Sequence, residues 1–346
     1  MTDPLARWDF DLPDDRIARQ AVEPRDAARM LVLGEGSGRS DHAVRDLPDL
    51  LRAGDLVVVN DVRVRKARVH ALRESGGEIE VFLLRDDLAM CRPSRRLRPG
   101  ERLQVVGPGT RRAGPPPAAT ITLLSRDDEG LWTIACTPDA ESLAARYGSV
   151  PLPPYFHRDA EANDEERYQT VYAREGGLAA AAAPTAGLHL TDALLARLAE
   201  RGIDLARVTL EVGLGTFKPL TEVQLASGEL HEERYEVPDA TWEALSATRA
   251  RGGRVVAIGT TTARVLESAA GPGPGSTRIF LREGARFHTV DVLFTNFHLP
   301  RSSLLLLVTA FGGHARVMDA YAHAIACGYR FYSYGDACLI PRAHPA

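Results

Sequence analysis

The sequence has little cysteine, little lysine and few aromatic residues. Its four cysteines are scattered over 346 residues, and none stands in a C-x-x-C pair. That spacing removes zinc-ribbon and iron–sulfur readings, so no metal is expected. Scattered thiols also fit a reducing, cytoplasmic setting. Lys66 and Lys218 are the only lysines, so the 42 basic residues are nearly all arginine. Aromatics make up 6% of the chain. The longest apolar run, Leu304 to Phe311, falls far short of the roughly 18 residues a membrane span needs, and no membrane partner is expected. The opening MTDPLARWDF has no basic region followed by an apolar run, so no secretory leader is expected there. A G-x-G-x-x-G fingerprint is absent, which removes support for a dinucleotide fold. There is no internal repeat.

What remains is the composition of an ordinary globular protein, 45% hydrophobic and 25% charged, long enough for two domains. Net charge is −4, which argues against indiscriminate binding to nucleic acid. The distribution is more informative. Residues 62–120 hold thirteen Lys/Arg against six Asp/Glu, a local +7, while the rest of the chain holds 29 against 40, or −11. The densest stretch, CRPSRRLRPGER, carries Arg92, Arg95, Arg96, Arg98 and Arg102. Interrupting prolines keep these arginines off a helical stripe, so they read as a loop or strand edge able to meet phosphates. A solvated surface would look the same.

Periodicity divides the chain. ARMLVL and DLVVVN read as buried strands, with a short helix through Leu47, Leu50 and Leu51 between them. After Asn60 come short strands separated by turn clusters, including a hairpin about Gly76-Gly77, with no helix before about residue 138. That is the pattern of a small β-barrel. Beyond PLPPYFHRD, strands alternate with helices, as in TDALLARLAERGI with Thr191 as N-cap and Gly202 as stop. GPGPGS reads as a loop, and Pro300 as part of the first turn of a helix. The expected architecture is therefore a three-layer α/β/α sandwich made of residues 1–64 and 151–346, with a basic β-barrel inserted at 65–150.

Ligands of open α/β sheets bind beyond the carboxyl ends of strands, and four polar junctions stand there. In AIGTTTARVLES, Gly259 ends a strand and Thr260, Thr261 and Thr262 open a helix. Free N–H groups and hydroxyls favour an anion, and Arg264 in the first turn opposes the helix dipole unless an anion joins it. Plain threonine capping gives the same pattern. In EVGLGTFKPL, Gly213 and Gly215 allow close backbone approach, or mark a bulge. In AAAPTAGLHL, Pro184 stiffens a turn, Gly187 frees it, and His189 precedes a helix; a lone histidine is more often structural. TNFHLP delivers Thr295, Asn296 and His298 to a strand–helix turn, where His298 is a candidate general base. Tyr168, Gln169 and Tyr172 in ERYQTVYA either stack on a base or pack.

These residues resemble the S-adenosylmethionine:tRNA ribosyltransferase-isomerase family of queuosine biosynthesis. The similar blocks are DLPDDRIA, EPRDAARMLVL, GDLVVVNDVRV, RPSRRLRPG, PLPPY, ERYQTVYA, APTAGLHL, VGLGTFKPL, GTTTARVLES, TNFHLPRSSLLLLV and YRFYSYGDA, in order from residue 11 to 336. The resemblance implies an α/β sandwich with an inserted barrel and no metal. It implies S-adenosylmethionine as co-substrate, and as partner a tRNA with a 7-aminomethyl-7-deazaguanine at the anticodon wobble position. The ribosyl group moves to that base and becomes epoxyqueuosine, with release of adenine and methionine. A monomer is expected rather than an obligate oligomer.

On that resemblance the sulfonium acidifies the ribose C5′–H, and His298 or His189 is the expected base, since imidazole titrates near neutral pH. Adenine needs a proton donor, a second histidine or Tyr168, and Asn296 stands beside them. Pro184, Thr185, Gly187, Gly213, Gly215, Thr216 and Gly259 would line the co-substrate site. Its carboxylate would sit on Thr260 to Thr262 with Arg264, and its sulfonium against Phe217, Phe297 or Asp336. Arg92, Arg95, Arg96 and Arg98 would hold tRNA phosphates. Arg264, His189 and His298 are thus expected to share one cleft, with the barrel arginines beside its mouth. The chain departs from the family pattern across 176–183 and at Glu211, Glu232 and Lys66. Those changes leave open a relative acting on another RNA or a free base, or a non-catalytic tRNA-binding protein.

Overall fold

The computed structural model describes residues 3–34, 38–107, 119–128, 130–152, 156, 163–176, 178–213 and 220–343. They form two compact units. One comprises Met1–Val62, Thr170–Leu178 and Pro184–Ala346, and the other Arg63–Gln169 with Ala179–Ala183. The barrel unit therefore runs beyond the expected limit at 150. Two contacts explain this. Ala179–Ala180 pairs in parallel with Arg63–Val64. Gln169 clasps Val64 as a strand would, accepting from its N–H at 3.0 Å and donating to its carbonyl at 2.7 Å.

In the first unit nine strands form one sheet, in the order Gly273–Ile279, Glu229–Val237, Asp204–Leu210, Leu56–Asn60, Val255–Ile258, Val292–Asn296, Ala337–Pro341, Arg29–Leu33, Arg39–Ala43. The four strands from Asp204–Leu210 to Val292–Asn296 are mutually parallel, so their carboxyl ends share one edge. Ala337–Pro341 runs against Val292–Asn296, which brings its start, beside Asp336, to the same edge.

Why the sheet is covered on both faces is clear from the strands. LVVVN is buried at every position, as a strand between two apolar layers must be. Val57, Val59, Val256, Ile258 and Phe294 pack into one core with Leu47, Leu190, Leu194 and Leu198. The alternate residues Leu56, Val58, Val255, Ala257 and Leu293 are fully buried on the opposite face. Helices Asp239–Ala250 and Thr260–Ser268 lie against these central strands, and His314–Ala326 against Arg29–Leu33. Each buried branched side chain contributes roughly 1.5–3 kcal/mol. The result is the expected α/β/α sandwich.

Helix Asp192–Glu200 begins where expected. Thr191 Oγ1 accepts from the Leu194 N–H at 3.1 Å, and Gly202 lies at φ 69° just past its end. Two expectations fail. GPGPGS is not wholly a loop, because Gly273–Ile279 is the outermost strand; proline is tolerated there, since an edge strand has N–H positions facing outward. Pro300 precedes rather than opens its helix. Ser302 caps Ser303–Gly312 by accepting from the Leu305 N–H at 3.2 Å.

The second unit holds a closed barrel of six strands, Trp132–Thr137, Leu88–Arg92, Glu78–Arg85, Arg68–Leu72, Arg102–Val106 and Thr120–Arg126, paired in that order. Alternation along these strands sends Val69, Val81, Leu83, Leu103, Ile121, Leu123 and Trp132 inward. Basic residues on the outer surface differ in their ties. Arg68 pairs with Glu80, and Arg73 with Glu101 at 2.5 Å, whereas Arg92, Arg95, Arg96 and Arg98 are exposed. Among the described residues, no helix is long and apolar enough to cross a membrane.

Candidate active site

At the carboxyl edge of the parallel strands, three of the four polar junctions meet. The chain leaves Val255–Ile258 through Gly259, whose φ of 89° suits glycine. Its N–H donates to the Phe294 carbonyl at 2.7 Å, and its α-carbon faces Ala186 in the turn Thr185–His189. Helix Thr260–Ser268 then begins without a side-chain cap, so its first N–H groups keep their donor capacity. The threonine hydroxyls are not aimed together. Thr262 turns back to the Ile258 carbonyl at 2.7 Å, and Thr261 accepts from Asn60 Nδ2 at 3.4 Å.

Asn296, at the end of Val292–Asn296, joins the APTAGLH turn to this edge. Its Oδ1 accepts from the Thr185 hydroxyl at 3.1 Å, which orients Nδ2 towards His189 Nε2 at 3.0 Å. His189 Nε2 is then an acceptor, and its other ring nitrogen donates to the Arg25 carbonyl. Burial pushes the imidazole down to about 4, so it is neutral at physiological pH. Its ring stands edge-on to Phe294 at 5.8 Å. Gly187 has a steric reason: a β-carbon there would lie 2.0 Å from the Tyr172 hydroxyl. Pro184, immediately before the turn, is buried.

His298 is bound differently. Its Nε2 meets the Thr295 hydroxyl at 2.9 Å, and its backbone N–H donates to the Tyr321 hydroxyl at 3.0 Å. Thr295 and Asn296 are neighbours in a strand, so they point to opposite faces. The two histidines are therefore held from opposite sides of one strand. Burial alone drives His298 down to about 3. The expectation of imidazoles titrating near neutrality fails for both, because neither faces a carboxylate able to offset the desolvation of its cation.

Arg264 is buried and forms an ion pair with Glu233 of strand Glu229–Val237. Arg264 is the fifth residue of its helix, one turn further in than expected, and that carboxylate neutralises its buried charge. Gly213 donates its N–H to the other Glu233 oxygen at 3.3 Å. Arg264, Glu233, His231 and Gly213 line a pocket of about 620 Å³, its open mouth included, whose walls include Phe280, Leu304 and Leu307. Neither His189 nor His298 lines it. Arg264 and the two histidines are thus not brought to one pocket: Arg264 lines this one, while Asn296 holds His189 and Thr295 holds His298.

Other expected residues fall elsewhere. Phe297 is fully buried against Tyr321, Tyr329 and Phe331, so its faces are occupied by rings. Asp336 accepts from the backbone N–H of Arg29 at 3.0 Å and of Arg330 at 2.8 Å, and ties the chain at the sheet edge. Tyr168 is fully buried within the barrel unit, and Gln169 is committed to Val64. Gly215, Thr216 and Phe217 lie outside the described residues. Lys66 pairs with Glu165 at 2.7 Å, Glu211 with Arg234 at 2.8 Å, and Glu232 with Arg278 at 3.7 Å.

Residue-type reasoning passed over Asn60, Asp61 and Glu233. Asn60 ends a buried strand and holds Leu210 through both its amide groups. Asp61 accepts from the Thr209 hydroxyl at 2.6 Å, and burial raises its carboxyl above the usual range. The available signal was an Asn-Asp pair closing an otherwise apolar strand. For Glu233 it was a carboxylate at an inward position of an alternating strand.

Fold and site together define a class: a chain with an open α/β sheet, polar groups at the carboxyl edge of its parallel strands, and a separate basic barrel. Comparison with known proteins narrows it. Residues 5–340 match the family described as queuosine biosynthesis protein, and the chain belongs to that family. It is 47% identical over 98% of its length to the S-adenosylmethionine:tRNA ribosyltransferase-isomerase of Anaeromyxobacter sp. (strain K), covering 99% of that protein. It is 46% identical to the enzyme of the same name from Azoarcus sp. (strain BH72), over 99% of both chains. The crystal structure of S-adenosylmethionine tRNA ribosyltransferase from Thermotoga maritima is similar with a TM-score of 0.55 and 32% identity, over 97% of this chain and 100% of that one.

Proposed function

We propose that this protein is a tRNA-modifying S-adenosylmethionine:tRNA ribosyltransferase-isomerase. The observation that carries this reading is end-to-end identity near 47% with enzymes of that name. In the reaction, the ribosyl group of S-adenosylmethionine passes to a 7-aminomethyl-7-deazaguanine at the tRNA wobble position and is isomerised to epoxyqueuosine. Adenine and methionine leave.

The chemistry needs a proton acceptor, since the sulfonium acidifies the C5′–H beside it, and a donor for departing adenine. We assign the acceptor first to His189. It is neutral at working pH, its turn meets Gly259 through Ala186, and Asn296 and Arg25 fix its tautomer. His298, on the other side of the strand, is the second candidate. On the barrel, the exposed Arg92, Arg95, Arg96 and Arg98 offer cations for phosphates, which position an RNA without reading its sequence.

The test is incubation with S-adenosylmethionine and tRNA carrying the aminomethyl-deazaguanine, with mass spectrometry of the nucleosides and measurement of free adenine. Epoxyqueuosine and stoichiometric adenine are expected. Adenine release with the free deazaguanine base but not with that tRNA would replace tRNA as the substrate. Tight tRNA binding without adenine would leave a binding protein.

A further inference from the structure

We infer that Arg264 and Glu233 form a two-handed site for the α-amino-acid head of the co-substrate, Arg264 taking the carboxylate and Glu233 the ammonium. This deepens the proposed function and rests on it.

Arg264 is 5% exposed and lines the pocket. Glu233 is bound through Nη1. The buried Nε and Nη2 have no hydrogen-bond partner among the described residues. Those two nitrogens form one edge of the guanidinium, with parallel N–H bonds at the spacing of a carboxylate's two oxygens. A buried guanidinium bonded only through Nη1 is costly unless a ligand completes its Nε–Nη2 edge. The uncompleted edge has the shape of a carboxylate receptor.

Glu233 supplies the other half. Its oxygens each accept one bond, from the Gly213 N–H and from Arg264, and a carboxylate oxygen can accept a second. An ammonium beside the bound carboxylate would reach it. Paired opposite charges on the protein match the paired opposite charges of an α-amino acid, and a simple anion would use only one. The remaining walls fit the rest of a methionine side chain. Phe280, Leu304 and Leu307 suit two methylenes and a methyl group.

The test compares three ligands on the full chain: S-adenosylmethionine, its decarboxylated analogue and its deaminated analogue. Binding is read by calorimetry, or as competition against adenine release where tRNA is required. The wild-type chain is expected to bind each analogue roughly ten- to a hundredfold more weakly than S-adenosylmethionine. Arg264→Met should erase the discrimination against the decarboxylated analogue. Glu233→Gln should erase the discrimination against the deaminated one. Ratios within one variant cancel any general loosening of the pocket. If a variant does not fold, the wild-type ratios decide alone. Affinities for all three ligands within about threefold on the wild-type chain would overturn the assignment, as would wild-type ratios persisting in both variants. Adenine release from S-adenosylmethionine with flat ratios would sink this site only. Failure of the wild-type chain to release adenine would sink the underlying function.

Discussion

Asn296 presents its side-chain nitrogen to His189 Nε2 at 3.0 Å while its oxygen accepts from Thr185. The amide spans a strand end and a turn more than a hundred residues earlier in the chain, and it decides which nitrogen of the imidazole carries the proton. Asn296→Asp reverses that logic. A carboxylate beside Nε2 favours the imidazolium, so the pKa of His189 should rise by more than one unit. Titration of the His189 ring followed by NMR checks this. A ring that stays neutral through pH 5 in the variant would refute the assigned hydrogen bond.

Activity should not follow an ordinary histidine titration. With His189 held near 4 and His298 near 3, both rings are already neutral at pH 6. The acid limb of kcat/KM is therefore expected well below pH 6, with a flat profile between 6 and 8 in the absence of other titrations. A single inflection at 6.5 that disappears in His189→Gln would contradict this account. Replacing His189 by Ala is expected to cost about 10²–10⁴ in kcat, and more than His298→Ala. Near-normal turnover by His189→Ala with unchanged co-substrate binding would remove it as the base.

The same burial sets a pH dependence of stability. Both histidines have lower pKa values folded than the unfolded value near 6.5, so the unfolded chain binds more protons below that pH. Their contribution to stability is complete above about pH 6.5 and declines as pH falls. Each then costs about 1.4 kcal/mol per pH unit, until the folded pKa is reached near 4 or 3. Urea unfolding from pH 7 to 5 reads this. His298→Asn should flatten the slope.

Gly187→Ala should destabilise the protein by about 1–3 kcal/mol, because the new β-carbon falls 2.0 Å from the Tyr172 hydroxyl and 3.0 Å from Thr170 Cγ2. Tyr172→Phe in the same chain removes the nearest atom and is expected to recover part of the loss. Thermal unfolding of the single and double variants checks the coupling. Additive effects would place the strain elsewhere.

On the barrel, Arg95→Ala with Arg96→Ala should weaken tRNA binding and lower the slope of log affinity against log salt by roughly 0.7–0.9 for each phosphate no longer neutralised. Affinity for S-adenosylmethionine should be unchanged. An unaltered salt slope would mean that these exposed arginines meet only solvent.

Patterns within a short window were enough for much of this protein. Continuous apolar runs such as LVVVN marked the central strands, and Thr191 and Gly202 bounded a helix, because caps and alternation act over a few residues. The +7 segment marked the barrel as the basic part, and the ordered blocks from residue 11 to 336 pointed to the family. What sequence could not supply was the pairing of distant side chains. Pro274 reads as a loop until the sheet places its segment at an edge, where no neighbour needs its missing N–H. His189 and His298 look alike as histidines before helices. Only the strand that carries Asn296 and Thr295 on opposite faces separates them, and only burial pushes both below neutrality. Arg264 alone looked like a cation awaiting an anion. The fold brings Glu233 to its Nη1 and leaves Nε and Nη2 without a partner among the described residues, because sheet order depends on packing across the whole chain and not on the residues beside it.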